Sequence, residues 1–151
     1  MDSSTYCIDL ICKIAENNPN YSFLVIGRGN FFKNKNKPNN ITWIDEYLSH
    51  KDILNYVNHA RCALMLTRRD TQGVMSCELV TYGIPLITSD LPVCREIFGK
   101  IPSVAFMNNE IKDENFSQIY VNILKKNRTK IDMFGYRNTV QREESIIKME
   151  Y

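Results

Sequence analysis

Asp70, Gly73 and Glu78 are the residues of this 151-residue chain whose types and spacing come nearest to a site with chemistry. They lie in the run Thr67-Arg68-Arg69-Asp70-Thr71-Gln72-Gly73-Val74-Met75-Ser76-Cys77-Glu78, which follows an apolar segment and opens a helix at Gly73. A helix start offers N–H groups with no intrahelical acceptor and a partial positive charge, and a glycine there lets a phosphate approach the backbone. On this reading the N–H of Gly73 is open to a ligand, and Gly73→Val damages binding more than folding. Glu78 is the only charged residue between Thr71 and Ser89, and its neighbours are Val74, Met75, Cys77, Leu79 and Val80. A lone carboxylate on such a surface is costly unless it meets donors or water. Two placements satisfy that demand: a polar cleft, where a ribose diol or sugar hydroxyls supply the donors, or the solvated face of an amphipathic helix. The helix alone does not choose between them.

The elements that must position these residues alternate in type. Thr5 to Asn17 has helical spacing of Cys7, Ile8, Ile11, Cys12, Ile14 and Ala15, with Pro19 just beyond its end. Phe23 to Ile26 reads as a strand ending at Gly27-Arg28-Gly29, and Ile41 to Ile44 as a second strand. Ser49 is the N-cap of a helix reaching Ala60, with Ile53, Leu54, Val57 and Ala60 on one face. Cys62 to Leu66 is an unbroken apolar run, suited to a parallel strand buried on both faces. A helix from Gly73 to Tyr82 closes at Gly83, which can take the left-handed conformation. Then come a strand at Ile84–Thr88, a helix at Pro92–Phe98, a strand at Ser103–Met107, and helices near Glu114–Lys126 and Thr129–Lys148. Such alternation predicts an α/β fold, a Rossmann-like doubly wound parallel sheet in a single domain. Ligands of such sheets bind beyond the carboxyl ends of the strands. That singles out Gly27–Asn30, Asp45–Ser49, Thr67–Val74 and Ser89–Pro92.

Composition excludes several classes. Hydrophobic residues make up 44% and charged residues 24%, as in an ordinary globular protein. A net charge of +2 with scattered basic residues gives no footprint for nucleic acid, and Lys33, Lys35 and Lys37 read as a solvated loop. No apolar run approaches the roughly 18–20 residues of a membrane-spanning helix, and the first fifteen residues do not resemble a secretory signal. Cys7, Cys12, Cys62, Cys77 and Cys94 are odd in number and form no CxxC pair, so they read as reduced packing residues of a cytoplasmic protein. No Cys/His/Asp cluster has zinc spacing, and no metal site is expected.

Several of these features recur together in one known family. They are a strand ending in Gly27-Arg28-Gly29, a strand and loop over Ile41–Leu48, and a helix like His50–Ala60. A buried strand follows, then Asp70, Gly73 and Glu78, with the second acid eight residues after the first. Tyr82-Gly83-Ile84-Pro85-Leu86-Ile87-Thr88-Ser89-Asp90 and Glu96 complete the series. The run Tyr21–Phe98 resembles the carboxyl-terminal domain of the GT-B glycosyltransferases, in particular the retaining group 1 enzymes of capsular and lipopolysaccharide synthesis. The resemblance implies one half of a GT-B fold and transfer of a sugar from a UDP- or GDP-linked donor to a glycan or lipid-linked acceptor. It implies retention at the anomeric carbon, no metal or other cofactor, and peripheral membrane association of the full enzyme. Carried over residue by residue, it puts Glu78 on the ribose hydroxyls. Asp70 stands where the family usually has glutamate, a residue that contacts the transferred sugar and is implicated in catalysis. Gln72, Gly73, Val74 and Met75 hold the sugar and diphosphate, Gly27 and Gly29 belong to the donor site, and the loop with Tyr47 lies near the base.

The chain also departs from that family. Its domain begins with a further strand followed by an arginine and a lysine that clamp the diphosphate, whereas Met1-Asp2-Ser3 already leads into the first helix. Residues 1–151 are therefore expected to be a donor-binding domain without that strand and without the acceptor domain. Such a chain is expected to form no glycoside alone, and to self-associate through an unpaired sheet edge. A second reading, from another class, is a non-catalytic nucleotide-binding or interaction module. A dinucleotide-binding reading of Gly27-Arg28-Gly29 fails at the third glycine position, which is Phe32, and Asp45 and Glu46 fall short of the spacing of about 20 residues. Ser76, Cys77 and Cys94 have no histidine near in sequence for a hydrolase triad.

Overall fold

Short apolar runs flanked by glycine, proline and asparagine become strands here, and the longer amphipathic stretches between them become helices. The structure is a computed structural model, and it describes residues 4–33, 35–70, 73–110 and 116–149. In chain order the elements are α1 (Ile8–Asn17), β1 (Phe23–Ile26), β2 (Ile41–Ile44), α2 (His50–His59), β3 (Ala63–Met65) and α3 (Val74–Thr81). They continue with β4 (Leu86–Ser89), α4 (Pro92–Phe98), β5 (Val104–Met107), α5 (Phe116–Leu124) and α6 (Tyr136–Met149).

Every strand pairing is parallel. Phe23 stands opposite Ile41, Ala63 opposite Leu86, and Leu86 opposite Val104. The ladders form two sheets, β1-β2 and β3-β4-β5. A doubly wound sheet commonly runs 3-2-1-4-5-6. The order here matches its two flanks, and among the described residues no strand pairs with the second edge of β1 or of β3. This explains one departure from expectation. The run at Cys62–Leu66 is half-buried over β3, because β3 has a neighbour on one side only.

The mixed α/β fold with helices on both faces is as the sequence predicts. β4 is buried along its whole length, with Leu86 packing against α3 and α4 and Ile87 packing against α1 and α5. One cluster joins Leu79, Val80, Leu86, Phe98 and Val104, and a second joins Leu10, Ile14, Ile87, Met107 and Ile123. The helix α1 serves both sheets. Leu10 and Ile14 enter the second cluster, to which Phe23 of β1 and Leu64 of β3 also belong, while Ile8, Cys12 and Ala15 enter a third with Val25, Phe32 and Ile41. Apolar burial across α1 thus replaces hydrogen bonding as the connection between the two sheets.

Several boundaries differ from the sequence reading for local reasons. Cys7 adopts a left-handed φ of 48°, which separates a 3-10 turn at Ser4–Tyr6 from α1. Pro85 cannot donate to the ladder and lies just before β4, yet its carbonyl accepts the N–H of Ala63 at 2.8 Å. The helix expected over Thr129–Lys148 is a 3-10 turn at Asp132–Phe134 and then α6, divided by Gly135 with extended ψ of 143°. The α2 face of Ile53, Leu54, Val57 and Ala60 is half-buried rather than buried. Gly83, at φ 74°, closes α3 as predicted.

Candidate active site

The strands are parallel within each sheet, and α1 meets Arg68 beyond β3 at its start and Asn40 before β2 at its end. The carboxyl ends of both sheets therefore lie on one side and form a rim carrying Gly27–Gly29, Asp45, Thr67–Asp70, Ser89–Asp90 and Asn108–Asn109. A buried polar clasp holds three of these ends together. The Thr67 N–H donates to Ser89 Oγ at 2.8 Å, Ser89 Oγ–H donates to Asn109 Oδ1 at 2.8 Å, and Asn109 Nδ2 donates to the Thr67 carbonyl at 2.8 Å. Thr67 Oγ1 then donates to the Arg69 carbonyl at 2.6 Å, which fixes the start of the loop leading to Asp70. Sequence reasoning missed Asn109. Its signal was the polar pair Asn108-Asn109 directly after an apolar strand, close to the position that Ser89 and Thr67 take on theirs.

The loop from Thr67 reaches α3 through a turn closed by Asp70, whose Oδ1 accepts the Gly73 N–H at 2.9 Å. This corrects one expectation. The Gly73 N–H is bonded within the protein and is not open to a phosphate. The need for glycine is conformational: Gly73 has φ 61°, and a Cβ there would lie 3.0 Å from Asp70 Oδ2. The first intrahelical bond of α3 runs from the Cys77 N–H to the Gly73 carbonyl at 3.0 Å. The N–H groups of Val74, Met75 and Ser76 therefore have no acceptor inside the helix. Val74 is exposed. Gln72 lies outside the described residues.

Glu78 lies one turn further along α3 with its side chain 37% exposed, and His50 Nδ1 approaches its Oε2 to 4.0 Å. The carboxylate is thus at a polar, partly solvated surface, and Cys77 lies between the two acids. Burial first, then the charges of Asp70 and Glu78, push the Cys77 thiol up, so it is a poor nucleophile. Burial likewise pushes Cys62 up to about 12, and no disulfide joins any of the five cysteines.

The β1-β2 end is built differently. The Gly27 N–H donates to the Ile44 carbonyl at 3.0 Å, the Gly29 N–H to Asp45 Oδ1 at 3.2 Å, and Trp43 Nε1 to the Gly27 carbonyl at 2.9 Å. The amides of Gly27 and Gly29 therefore shape the loop. Lys33 Nζ pairs with Asp45 at 3.4 Å, and the Arg28 guanidinium lies 5.3 Å from the ring centre of Tyr47, which is 86% exposed. Arg68 forms a two-pronged pair with Asp9 at 3.1 and 2.7 Å, and its N–H donates to the Thr5 carbonyl. That pair ties α1 to the end of β3 and holds the Asp9 carboxyl below its ordinary range.

The structure thus joins Asp70 to Gly73, Glu78 to His50, Arg28 to Tyr47 and Gly29 to Asp45, along one rim of parallel strands that opens onto a helix start. The sequence model of "Glycosyl transferases group 1" matches residues 5–139. This chain belongs to the group 1 glycosyltransferases. Sugar transfer is the chemistry of that family, and it implies a nucleotide-sugar donor and an acceptor. Comparison with curated proteins gives no match. Among the described residues, no helix of this glycosyltransferase-family chain is long and apolar enough to cross a membrane.

Proposed function

We propose that this chain is the donor-binding part of a retaining glycosyltransferase using a UDP- or GDP-linked sugar and a glycan or lipid-linked acceptor. The observation that carries the reading is the start of α3, where Asp70 closes the turn, Val74 and Met75 present N–H groups, and Glu78 stands one turn behind. In this reading Val74 and Met75 hold the diphosphate and stabilise it as it leaves, because aligned dipoles favour charge that develops at their positive end. Glu78 accepts the ribose hydroxyls. Asp70 faces the transferred sugar while its Oδ1 keeps the turn closed, Gln72 and Gly73 complete the sugar pocket, and Gly27, Gly29 and Tyr47 border the base. The acceptor is brought by a second domain, and the free edges of β1 and β3 receive the central strand of the sheet. Without these the isolated chain binds donor weakly, forms no glycoside and self-associates, which sedimentation and product assays read directly.

The test is calorimetry with UDP and GDP. Glu78→Ala is expected to weaken binding while leaving the melting temperature unchanged, since charge-assisted bonds contribute roughly 1.5–3 kcal/mol each at most. Unchanged affinity in the variant of a chain that binds would remove Glu78 from the site. The second reading, a non-catalytic nucleotide-binding or interaction module, is favoured by the commitment of Arg68 to Asp9, which takes one cation away from any diphosphate. Turnover by a longer form that includes an acceptor domain would rule that reading out.

A further inference from the structure

Glu78 belongs to α3, but the side chain that approaches it comes from the start of α2. His50 is the first residue of that helix, and its Nδ1 lies 4.0 Å from Glu78 Oε2. The position of His50 is not accidental. Ser49 Oγ accepts the Asp52 N–H at 3.2 Å and donates to Asp52 Oδ2 at 2.5 Å, a reciprocal cap that fixes where α2 begins. The loop before it is anchored at its other end by Asp45, which accepts from Gly29 and pairs with Lys33. His50 therefore projects from a segment held at both ends. Glu78 itself is on a flexible three-torsion side chain among apolar neighbours, and among the described residues His50 is its ion-pairing partner.

We propose that His50 is a positioning residue for Glu78, guiding one carboxylate oxygen so that the other is left to accept ribose hydroxyls. The inference rests on the reading of Glu78 as the ribose-binding group. A separation of 4.0 Å is too long for a direct hydrogen bond, so His50 acts by limiting where the carboxylate can swing and, when protonated, by its charge. Restricting the side chain before the ligand arrives removes part of the ordering cost of binding. The two side chains are 54% and 37% exposed, so solvent keeps the effect modest.

A double-mutant cycle on the 151-residue chain tests this, with UDP, GDP and their 2′,3′-dideoxy forms as the calorimetric probes. His50→Ala is expected to weaken the ribose nucleotides about two- to fivefold, the range an exposed charge pair supports. The loss should vanish in the Glu78→Ala background and with the dideoxy nucleotides, because His50 then has nothing to position. If His50→Ala lowers the melting temperature, His50→Gln carries the cycle instead. Full affinity in the His50 variants alongside a loss in Glu78→Ala overturns the inference and leaves the Glu78 reading standing. An equal His50 loss in the Glu78→Ala background, or with dideoxy nucleotides, also overturns it, since His50 would then act independently of the carboxylate. A wild type that binds no nucleotide, or a Glu78→Ala variant with unchanged affinity, overturns both.

Discussion

The two sheets of this protein carry the two ends of one rim, yet they are built to different standards. In β3-β4-β5 the central strand is buried along its length, helices cover both faces, and a buried polar clasp locks the strand ends. In β1-β2 only Val25 and Ile41 are buried along the strands, and the rim is held by part-buried hydrogen bonds of Gly29 and Trp43, an exposed aromatic–cation contact and a half-exposed ion pair. The difference matches what each end is asked to do. Under the proposed function the α3 side holds the reacting groups, and packed cores with satisfied buried bonds give such a site its rigidity. The β1-β2 side presents Tyr47 and Arg28 on an adaptable surface.

The sharpest way to break this comparison is to cut equivalent aliphatic side chains from the two sheets. Ile87 is fully buried and Leu24 is 44% exposed. Ile87→Ala should cost about 2–5 kcal/mol by urea unfolding, while Leu24→Ala, on the exposed strand surface, should stay within about 0.5 kcal/mol. Equal costs would mean that the two sheets are equally consolidated.

The next effect is smaller and bears on the clasp. Asn109→Leu leaves the Thr67 carbonyl and the Ser89 hydroxyl without their partner in a buried setting, an expected loss of about 1–3 kcal/mol. Hydrogen exchange should then rise at Thr67–Asp70 and not at Gly27–Gly29. Loss of protection at both ends would join the two regions into one unit.

Gly73→Ala sharpens the contrast at the helix start. A left-handed residue with a Cβ costs roughly 1–2 kcal/mol, and here the added carbon also presses on Asp70. Thermal melting should therefore fall together with nucleotide affinity. Affinity lost at constant stability would restore the idea of direct phosphate approach at Gly73.

The smallest effect is at the Asp9–Arg68 pair that ties α1 to the end of β3. The hydrogen bond from Arg68 lowers the folded carboxyl below the ordinary value of 3.8, so the pair's contribution is present above that value and is lost as pH falls through the lower one. Asp9→Asn should cost under about 1 kcal/mol at neutral pH, because both side chains are well solvated, and the gap to wild type should close in acid. A gap that persists below the folded value would show that packing, not charge, carries the contact.

What the sequence determined by itself was everything that local chemistry decides. Apolar runs bounded by Gly27, Pro85 and Gly83 marked strands and helix ends, Ser49 capped α2, and Pro92 opened α4 where expected. The order of these elements named the fold class, and the ends of the expected strands singled out the loop that carries Asp70. Tertiary structure alone decided the rest, because each remaining feature pairs groups far apart in the chain. Thr67 meets Asn109 across two strands, and His50 meets Glu78 across two helices. Residue order does not carry that geometry. Even within one turn, whether the Gly73 N–H faces a ligand or Asp70 depends on a side-chain torsion that the sequence leaves open. The division into two sheets is also tertiary: β1 and β3 are each competent strands, and only their failure to pair reveals the gap that α1 spans.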